Sequence, residues 1–278
     1  MSARAAARPR LLVLVTGTAT EIGKTWFSAA TAAELRAQGL RIAARKPVQS
    51  GEPGPPSDAE VLAVATGEDP STVCPPHRTY SVAWAPPMAA DELGLPPFTV
   101  ADLAAEIEWE ADTDIGLVEG VGGPRSPLAS DGDTVDLARA LDPDLNVLVA
   151  DAGLGTVNAV RLAAAVLADR PLVVALNHFG NDPAQTRLHA RNLEHLSVVD
   201  RFDVVTSPAA LAARLLAELA RRACPRPPPG GSLPARCCCR WVRRSSRSPA
   251  VSTTLRRCGR CSCCSRSRHS SRWHWYPS

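Results

Sequence analysis

A turn rich in glycine and threonine directly follows a short apolar run at residues 11–15, and it reads Gly17-Thr18-Ala19-Thr20-Glu21-Ile22-Gly23-Lys24-Thr25. It is one residue longer than the standard phosphate-binding loop, G-x4-G-K-S/T. Backbone N–H groups and a helix N-terminus can face phosphates there, Lys24 supplies positive charge, and the Thr25 hydroxyl can reach Mg²⁺. A glycine-capped turn with an incidental Lys-Thr pair is the alternative. We predict a phosphate-binding loop, because Lys24 is one of only two lysines in the chain.

The second lysine, Lys46, stands just beyond another apolar run, in the segment Arg45-Lys46-Pro47-Val48-Gln49-Ser50-Gly51. Arginine dominates the basic residues of this chain, so a lysine at a strand end suggests that the site needs a compact ammonium rather than the wider, planar guanidinium of arginine. The alternative is a solvated turn residue. We predict that Lys46 and Lys24 face the same crevice.

Two carboxylates complete the predicted constellation. Asp58 precedes a helical pattern, and Glu119 ends an apolar run in the segment Val118-Glu119-Gly120-Val121-Gly122-Gly123. A carboxylate at a strand end beside a phosphate-binding loop is the expected partner of Mg²⁺. The glycines after Glu119, Gly122 among them, would let the backbone approach a γ-phosphate closely. Asp58 could alternatively serve only as a helix N-cap.

The elements that must position these residues alternate along the chain. Continuous apolar strands separated by amphipathic helices predict an α/β fold of the Rossmann-like P-loop NTPase type, a parallel sheet with helices on both faces. Its active site is expected at the carboxyl ends of the strands. Strands are predicted at residues 11–15, 40–44, 115–118, 145–150, 172–176 and 203–206, and helices at 24–38, 58–66, 100–110, 134–141, 157–168, 183–196 and 208–222.

The ordered motifs G-T-x-T-x-I-G-K-T, K-P-V-x-S-G, Ser-Asp-Ala before a helix and V-E-G-x-G-G resemble those of the dethiobiotin synthetase family, over roughly residues 11–212. The resemblance implies a Mg²⁺- and ATP-dependent ligase that makes dethiobiotin from 7,8-diaminononanoate and CO₂ or bicarbonate. By position, it implies catalytic roles around a carbamate and the γ-phosphate for Thr20, Lys24, Lys46 and Ser50. It assigns Mg²⁺ to Thr25, Asp58 and Glu119, and the phosphates to the loop from Gly17 to Gly23, with Thr18, Glu21 and Ile22.

The resemblance also implies a homodimer whose partner subunit receives the substrate carboxylate. Substrate contacts are expected at Ser50, Tyr80, Gly155, Thr156 and Asn158, and adenine contacts at Asn177 and Pro208. The chain departs from the family at three positions: Ala159 stands where His is usual, Pro87 where Ser is common, and Val121 where Ala is usual.

Other functions are weighed against the ligase. A partition-type switch ATPase normally carries an extra lysine near the first glycines of its loop, and residues 18–22 have none. An amidase of the cobyrinic acid kind would need a glutamine-hydrolysing domain with a nucleophilic cysteine, and Cys74 is the only cysteine before residue 224. An inactive relative of the ligases is the third alternative.

The composition changes abruptly near residue 223. Residues 1–223 contain 17 Arg, 2 Lys and all 28 acidic residues, whereas residues 224–278 contain 12 Arg, no acid and eight of the nine cysteines. We predict one domain at residues 1–223 and a tail at 224–278. The tail is interpreted as a disordered extension or a reading-frame artefact, with a basic nucleic-acid arm or a zinc site at Cys258 and Cys261, supplemented by Cys238 and His269, as alternatives.

The sequence predicts a cytoplasmic protein without membrane or nucleic-acid partners. No apolar run reaches the roughly 18 residues that a membrane span needs, and the run at 11–15 is shorter than a secretory signal requires. A single cysteine in the first 223 residues argues against a disulfide framework and fits a reducing compartment.

Overall fold

The computed structural model describes residues 7–54 and 56–223. Its centre is a six-stranded parallel sheet with the order β10-β9-β8-β1-β5-β2. The strands of this sheet are β1 (Leu11–Gly17), β2 (Ile42–Arg45), β5 (Ile115–Glu119), β8 (Leu145–Asp151), β9 (Leu172–Asn177) and β10 (Asp203–Val205). Two small two-stranded sheets pair β3 (Gln49–Ser50) with β4 (Thr79–Tyr80), and β6 (Pro127–Ala129) with β7 (Gly132–Asp133).

The helices cover both faces of this sheet, as the sequence predicted. Val13 and Val15 of β1 pack in one core cluster with α1 and α9, while Leu12 and Leu14 pack in another with α5 and α6. Every residue of β1 is buried, which is why its sequence is continuously apolar over residues 11–15 rather than alternating. The helices are α1 (Lys24–Ala37), α2 (Asp58–Thr66), α3 (Pro70–Val73), α4 (Pro86–Glu92), α5 (Val100–Ala105), α6 (Thr134–Leu141), α7 (Thr156–Ala165), α8 (Thr186–Glu194) and α9 (Pro208–Ala223).

Helix ends were predicted best where capping is local. Helices α2 and α6 begin and end at the predicted residues, and both start with a capping box, at Ser57 and at Asp133. The helix predicted at 100–110 instead ends at Ala105. Beyond it, Arg45 lies 4.8 Å from the Trp109 ring and donates to the Glu108 carbonyl, so tertiary contacts hold this segment in another conformation.

Other boundaries differ from the prediction by a few residues. The strand predicted at 40–44 occupies residues 42–45, and the helix predicted at 183–196 begins at Thr186. There the Asp182 carboxylate accepts the Ala184 N–H in a turn that precedes the helix. The short helices α3 and α4 and both small sheets were missed, because each has too few residues to show a period.

The predictions made for residues 224–278 lie outside the described residues, and the boundary at residue 223 stays a prediction. Among the helices of the described residues, none has both the length and the apolar character needed to cross a membrane.

Candidate active site

The residues predicted to act on the γ-phosphate and Mg²⁺ meet at the carboxyl ends of β1, β2 and β5. Strand pairing places Val15 of β1 opposite Glu119 of β5, and Arg45 of β2 opposite Val118. The loops beyond these ends surround an open cleft of about 820 Å³. Its lining includes these predicted residues: Thr20, Glu21, Gly23, Lys24, Thr25, Lys46, Ser50, Asp58 and Gly122. The placement follows from the parallel sheet, which brings all carboxyl ends to one edge.

The phosphate-binding loop has the backbone conformation that its glycines predict. Gly23 has φ +81° and caps the N-terminus of α1 without a side-chain hydrogen bond. Glu21 has φ +60°, a strained value for a residue other than glycine. The Thr18 N–H donates to the Val149 carbonyl over 2.9 Å, which fixes the loop to β8. Predicted loop residues Gly17 and Ile22 lie in contact, since a Cβ on Gly17 would stand 2.6 Å from the Ile22 side chain.

Lys24 lies in this loop with its ammonium directed at the loop backbone. Its Nζ donates to the Ala19 carbonyl over 3.2 Å. Burial lowers the pKa of Lys24 below its ordinary value, and the nearby Lys46 charge lowers it further. The Lys24 ammonium hydrogen-bonds to a neutral carbonyl rather than to a carboxylate, so an anionic ligand in the cleft would supply it with a counter-charge.

The centre of the site is a group of five residues that we name the buried carboxylate cluster after its buried members Ser28, Lys46 and Glu119. Its other members are Thr25, which is half-buried, and Asp58, whose side chain is 42% exposed. Glu119 is 1% exposed and Lys46 is 2% exposed. The Lys46 Nζ lies 2.7 Å from Asp58 Oδ2, 3.0 Å from Glu119 Oε1 and 3.1 Å from the Gly120 carbonyl. All three ammonium protons therefore have acceptors. Lys46 is not the solvated turn residue that the sequence left open.

Charges within the cluster move the pKa values of its members. Burial alone would lower the pKa of Lys46, but the Glu119 and Asp58 carboxylates outweigh it and hold the pKa above its ordinary value. Burial would raise the pKa of Asp58, but the Lys46 charge and hydrogen bonds from Lys46 and Thr25 hold it below the ordinary value. Both groups are therefore charged at neutral pH.

Three oxygen atoms of the cluster form a donor set that suits Mg²⁺. Thr25 Oγ1 lies 2.7 Å from Asp58 Oδ1 and 2.7 Å from Glu119 Oε1. A hydroxyl has one proton and can donate to only one of these carboxylates at a time. Oxygen ligands of this kind, completed by phosphate oxygens and water, match the preference of Mg²⁺. Within the described ranges, no group of three or more His, Cys, Asp or Glu side chains could hold a metal ion.

Ser50 connects the cleft to the segment between Tyr80 and Pro87, two residues that the resemblance singled out. Its Oγ donates to the Trp84 carbonyl over 2.5 Å, and Trp84, 53% exposed, lines the cleft together with Pro86. Gln49, which also lines the cleft, accepts the Ala59 N–H at the start of α2. Its signal in the sequence was only its place between Lys46 and Ser50. Trp84 showed none.

The glycine motif after Glu119 permits close packing. A Cβ on Gly120 would stand 2.6 Å from Thr134 Oγ1, so a larger residue would displace α6. Gly122 has φ +52° and lies near Thr20, since its Cβ would be 3.4 Å from Thr20 Oγ1. Val121 lines the cleft, where the family usually has the smaller alanine.

The remaining predicted residues lie away from the cleft lining. Tyr80 is buried and stacks on Phe98, with ring centroids 5.8 Å apart. Residues Gly155, Thr156 and Asn158 form the turn after β8 and the start of α7, where Gly155 has φ +91° and Asn158 is exposed. The described chain alone therefore does not bring the predicted carboxylate contacts to the lysines.

The predicted adenine contacts lie on the other side of the phosphate-binding loop. Asn177, the last residue of β9, donates from Nδ2 to the Ile22 carbonyl over 2.9 Å. A Cβ on Gly23 would stand 2.2 Å from the same Nδ2. The Asn177 side chain can therefore occupy this position only because residue 23 is a glycine. Pro208 begins α9, after the short strand β10.

Sequence comparisons agree on one family. A family model described as an AAA domain matches residues 12–209. Three relatives are named ATP-dependent dethiobiotin synthetase BioD. The one from Rhodococcus jostii is 41% identical over 208 residues, covering 73% of this chain and 88% of the relative. Those from Haloferax mediterranei and Streptomyces avermitilis are each 38% identical, covering 66% and 68% of this chain and 78% and 79% of the relative.

Solved structures are more distant. Chloroplast FtsY from Physcomitrella patens is 14% identical with a TM-score of 0.43, covering 77% of this chain and 65% of that chain. The MinC:MinD complex of Aquifex aeolicus is 13% identical with a TM-score of 0.41, covering 81% of this chain and 98% of that chain. Scores this low support no argument about function.

Proposed function

Because the chain belongs to the dethiobiotin synthetase family, and is therefore a ligase of biotin synthesis, we propose that it converts 7,8-diaminononanoate, CO₂ and ATP into dethiobiotin, ADP and phosphate. One amine adds to CO₂ and loses a proton to form a carbamate. A carbamate oxygen then attacks the γ-phosphate, and ADP leaves. The second amine attacks the carbon of the resulting mixed anhydride, and phosphate leaves as the ureido ring closes.

The buried carboxylate cluster beside the phosphate-binding loop is the observation that supports this proposal most. Phosphoryl transfer depends on positioning and charge neutralisation rather than on a protein nucleophile. The chain places its only two lysines in one cleft, and both Lys24 and Lys46 are less than a tenth exposed. In our proposal they neutralise the carbamate and the γ-phosphate, while Thr20 and Ser50 orient the reacting atoms.

The residues present fit a Mg²⁺ ion that also contacts nucleotide phosphates. Thr25, Asp58 and Glu119 would hold it, and all three supply oxygen atoms. When bound, the ion would neutralise phosphate charge. The protein's own part is to orient the two carboxylates, which Lys46 does through its contacts with both.

The remaining assignments extend this proposal. We propose a homodimer in which Gly155, Thr156 and Asn158 of one subunit receive the substrate carboxylate of the other, because in one chain they lie away from the cleft lining. Tyr80, which is buried against Phe98, would support the segment from Trp84 to Pro86 that lines the cleft. Asn177 and Pro208 would contact adenine, and phosphates would lie against Gly17, Thr18, Glu21, Ile22 and Gly23.

Two wider assignments are also proposed. We propose that the catalytic domain ends near residue 223, because α9 packs its apolar side chains into the core and ends at Ala223. We propose that the protein works in the cytoplasm. Cys74, a free and buried thiol in the described part of the chain, is consistent with a reducing compartment.

The test is product mass spectrometry on the full chain with diaminononanoate, bicarbonate, Mg²⁺ and ATP. We expect dethiobiotin and ADP from the native protein. Lys46→Ala should lose at least about 100-fold in turnover, since removing a group that stabilises transition-state charge commonly has that effect. Lys46→Arg is the matched variant that retains the charge but not the compact shape.

Each alternative function gives its own result. ATP hydrolysis that is independent of the diamine, without dethiobiotin, would favour a switch ATPase. A folded protein that binds ATP and forms no product would favour an inactive relative. Either result would overturn the ligase proposal.

A further inference from the structure

Ser28 is the one member of the buried carboxylate cluster that no predicted role covers. It lies on α1, one turn after Thr25, and residues three apart share a helix face. Ser28 is 3% exposed, and its Oγ donates to Glu119 Oε2 over 3.0 Å. The other carboxylate oxygen, Oε1, is contacted by Thr25 and by Lys46. One helix therefore holds both oxygens of the same carboxylate.

We propose that Ser28 is a positioning residue that fixes the plane of the Glu119 carboxylate. The terminal torsion of a glutamate is broad, so contacts to both oxygens are needed to set its orientation. With Oε2 held by Ser28, Oε1 faces Thr25 and Lys46, the geometry that the proposed function requires. The inference rests on that function, and it adds a residue that acts only through Glu119.

Burial makes this contact more important than an exposed hydrogen bond. Glu119 is 1% exposed, so bulk water cannot replace a lost donor at Oε2. Without Ser28, the carboxylate would gain by rotating toward the donors on its other side, because a buried charged acceptor without a partner carries a large penalty. Rotation would move Oε1 away from Thr25 and Lys46, its present hydrogen-bond partners.

A neighbouring hydroxyl on the same helix provides a matched control. Thr31 lies one turn further along α1 and is 1% exposed. Its Oγ1 donates to the Phe27 carbonyl over 2.8 Å and makes no hydrogen bond to the cluster in the described part of the chain. Thr31→Val therefore removes a buried hydroxyl from the same helix at similar depth, and it leaves Glu119 untouched.

The experiment compares Ser28→Ala, Ser28→Thr and Thr31→Val in the full chain. Ser28→Thr keeps the hydroxyl, and a small apolar cavity of about 10 Å³ beside Ser28 can receive part of its extra methyl group. Calorimetry measures Mg²⁺ binding in the presence of a non-hydrolysable ATP analogue. Steady-state kinetics separates kcat from the KM of the diamine, and thermal unfolding reports stability.

We expect Ser28→Ala to weaken Mg²⁺ binding by about tenfold and to lower kcat by about tenfold, the usual effect of removing a residue that orients a metal ligand. The KM of the diamine should stay unchanged. Thr31→Val should leave Mg²⁺ binding and kcat within about twofold of native, and Ser28→Thr should restore both. Should Ser28→Ala not fold, Ser28→Cys replaces it, with a weak donor of similar size.

A purely structural role predicts a different result. If Ser28→Ala and Thr31→Val lower the unfolding temperature alike and both keep native Mg²⁺ binding, the inference is wrong. Failure of the proposed function is recognised separately. In that case the native chain makes no dethiobiotin. Calorimetry still shows whether removing the Ser28 hydroxyl weakens Mg²⁺ binding more than removing the Thr31 hydroxyl does.

Discussion

Glu119 and Asp151 are the last residues of two strands in the same parallel sheet, yet their environments differ sharply. Glu119 ends β5 and is 1% exposed, with Thr25, Ser28 and Lys46 as hydrogen-bond partners. Asp151 ends β8 with a side chain that is 53% exposed. Its partners are His178, 2.8 Å away, and the Gly153 N–H.

The difference shows that position at a strand end does not by itself create a strong electrostatic site. Glu119 is enclosed because α1 supplies Thr25 and Ser28, while Lys46 follows β2 and Asp58 begins α2. Water is excluded there, so each charge interaction is stronger than it would be in solvent. Asp151 faces water, and exposed ion pairs contribute little.

Two glycine turns repeat this contrast. Gly23 and Gly155 both have positive φ and cap the N-termini of α1 and α7. A Cβ on Gly23 would collide with Asn177, whereas a Cβ on Gly155 would meet nothing within 4 Å. The first turn is enclosed by the fold, and the second is open.

Removing the charge at the centre of the buried carboxylate cluster should have the largest effect on stability. Lys46→Ala leaves Glu119 buried without its counter-charge, and we expect the free energy of unfolding to fall by about 3–5 kcal/mol. Urea denaturation measures it. Lys24→Ala is the control and should cost clearly less, since the hydrogen bond that Lys24 makes within the described residues goes to a backbone carbonyl and not to a carboxylate. Equal losses of stability in the two variants would contradict the prediction that Lys46 stabilises the fold by compensating the buried Glu119 charge.

The two glycine turns should respond unequally to alanine. Gly155→Ala should cost about 1–2 kcal/mol for the left-handed backbone alone. Gly23→Ala should carry the same backbone cost and a further loss of about 1–3 kcal/mol in the free energy of unfolding, because its Cβ collides with Asn177. Chemical denaturation of both variants isolates the collision as their difference, and equal costs would show that the first turn relaxes freely.

Neutralising Glu119 should destabilise the protein less than removing Lys46, because Asp58 still pairs with the ammonium. We expect Glu119→Gln to lower the free energy of unfolding by about 1.5–3 kcal/mol, the worth of hydrogen bonds to a charged group. Denaturation at neutral pH measures the change. No loss of stability in this variant would mean that the cluster is hydrated in solution.

The same change at the open strand end should have the smallest effect. Asp151→Asn should alter the free energy of unfolding by less than about 1 kcal/mol. Burial raises the pKa of Asp151, but hydrogen bonds from His178 and Gly153 outweigh it and keep the pKa below its ordinary value. The small contribution is therefore present above the ordinary carboxyl pKa and is lost as pH falls through the lowered one. If Asp151→Asn lowered the free energy of unfolding as much as Glu119→Gln, the contrast between the exposed and the buried strand end would be wrong.

The main elements and most of the cleft could be predicted from local patterns. The strand periods, the capping boxes of α2 and α6, and the loop before Lys24 each depend on residues close together in the chain. The helix end at Ala105 and the contribution of Trp84 could not be predicted in this way. Both depend on contacts with distant segments, such as the stacking of Arg45 on Trp109 and the hydrogen bond from Ser50.

The sequence by itself determined the chemistry available at the site: a phosphate-binding loop, two lysines and two carboxylates, each at a strand end or a helix start. Tertiary structure decided which of these groups is buried and how each is oriented. Ser28 and Glu119 are 91 positions apart, and Thr25 and Asp58 are 33 apart. No local period encodes such pairs, because they form only when parallel strands align their ends and helices exclude water from the groups between them.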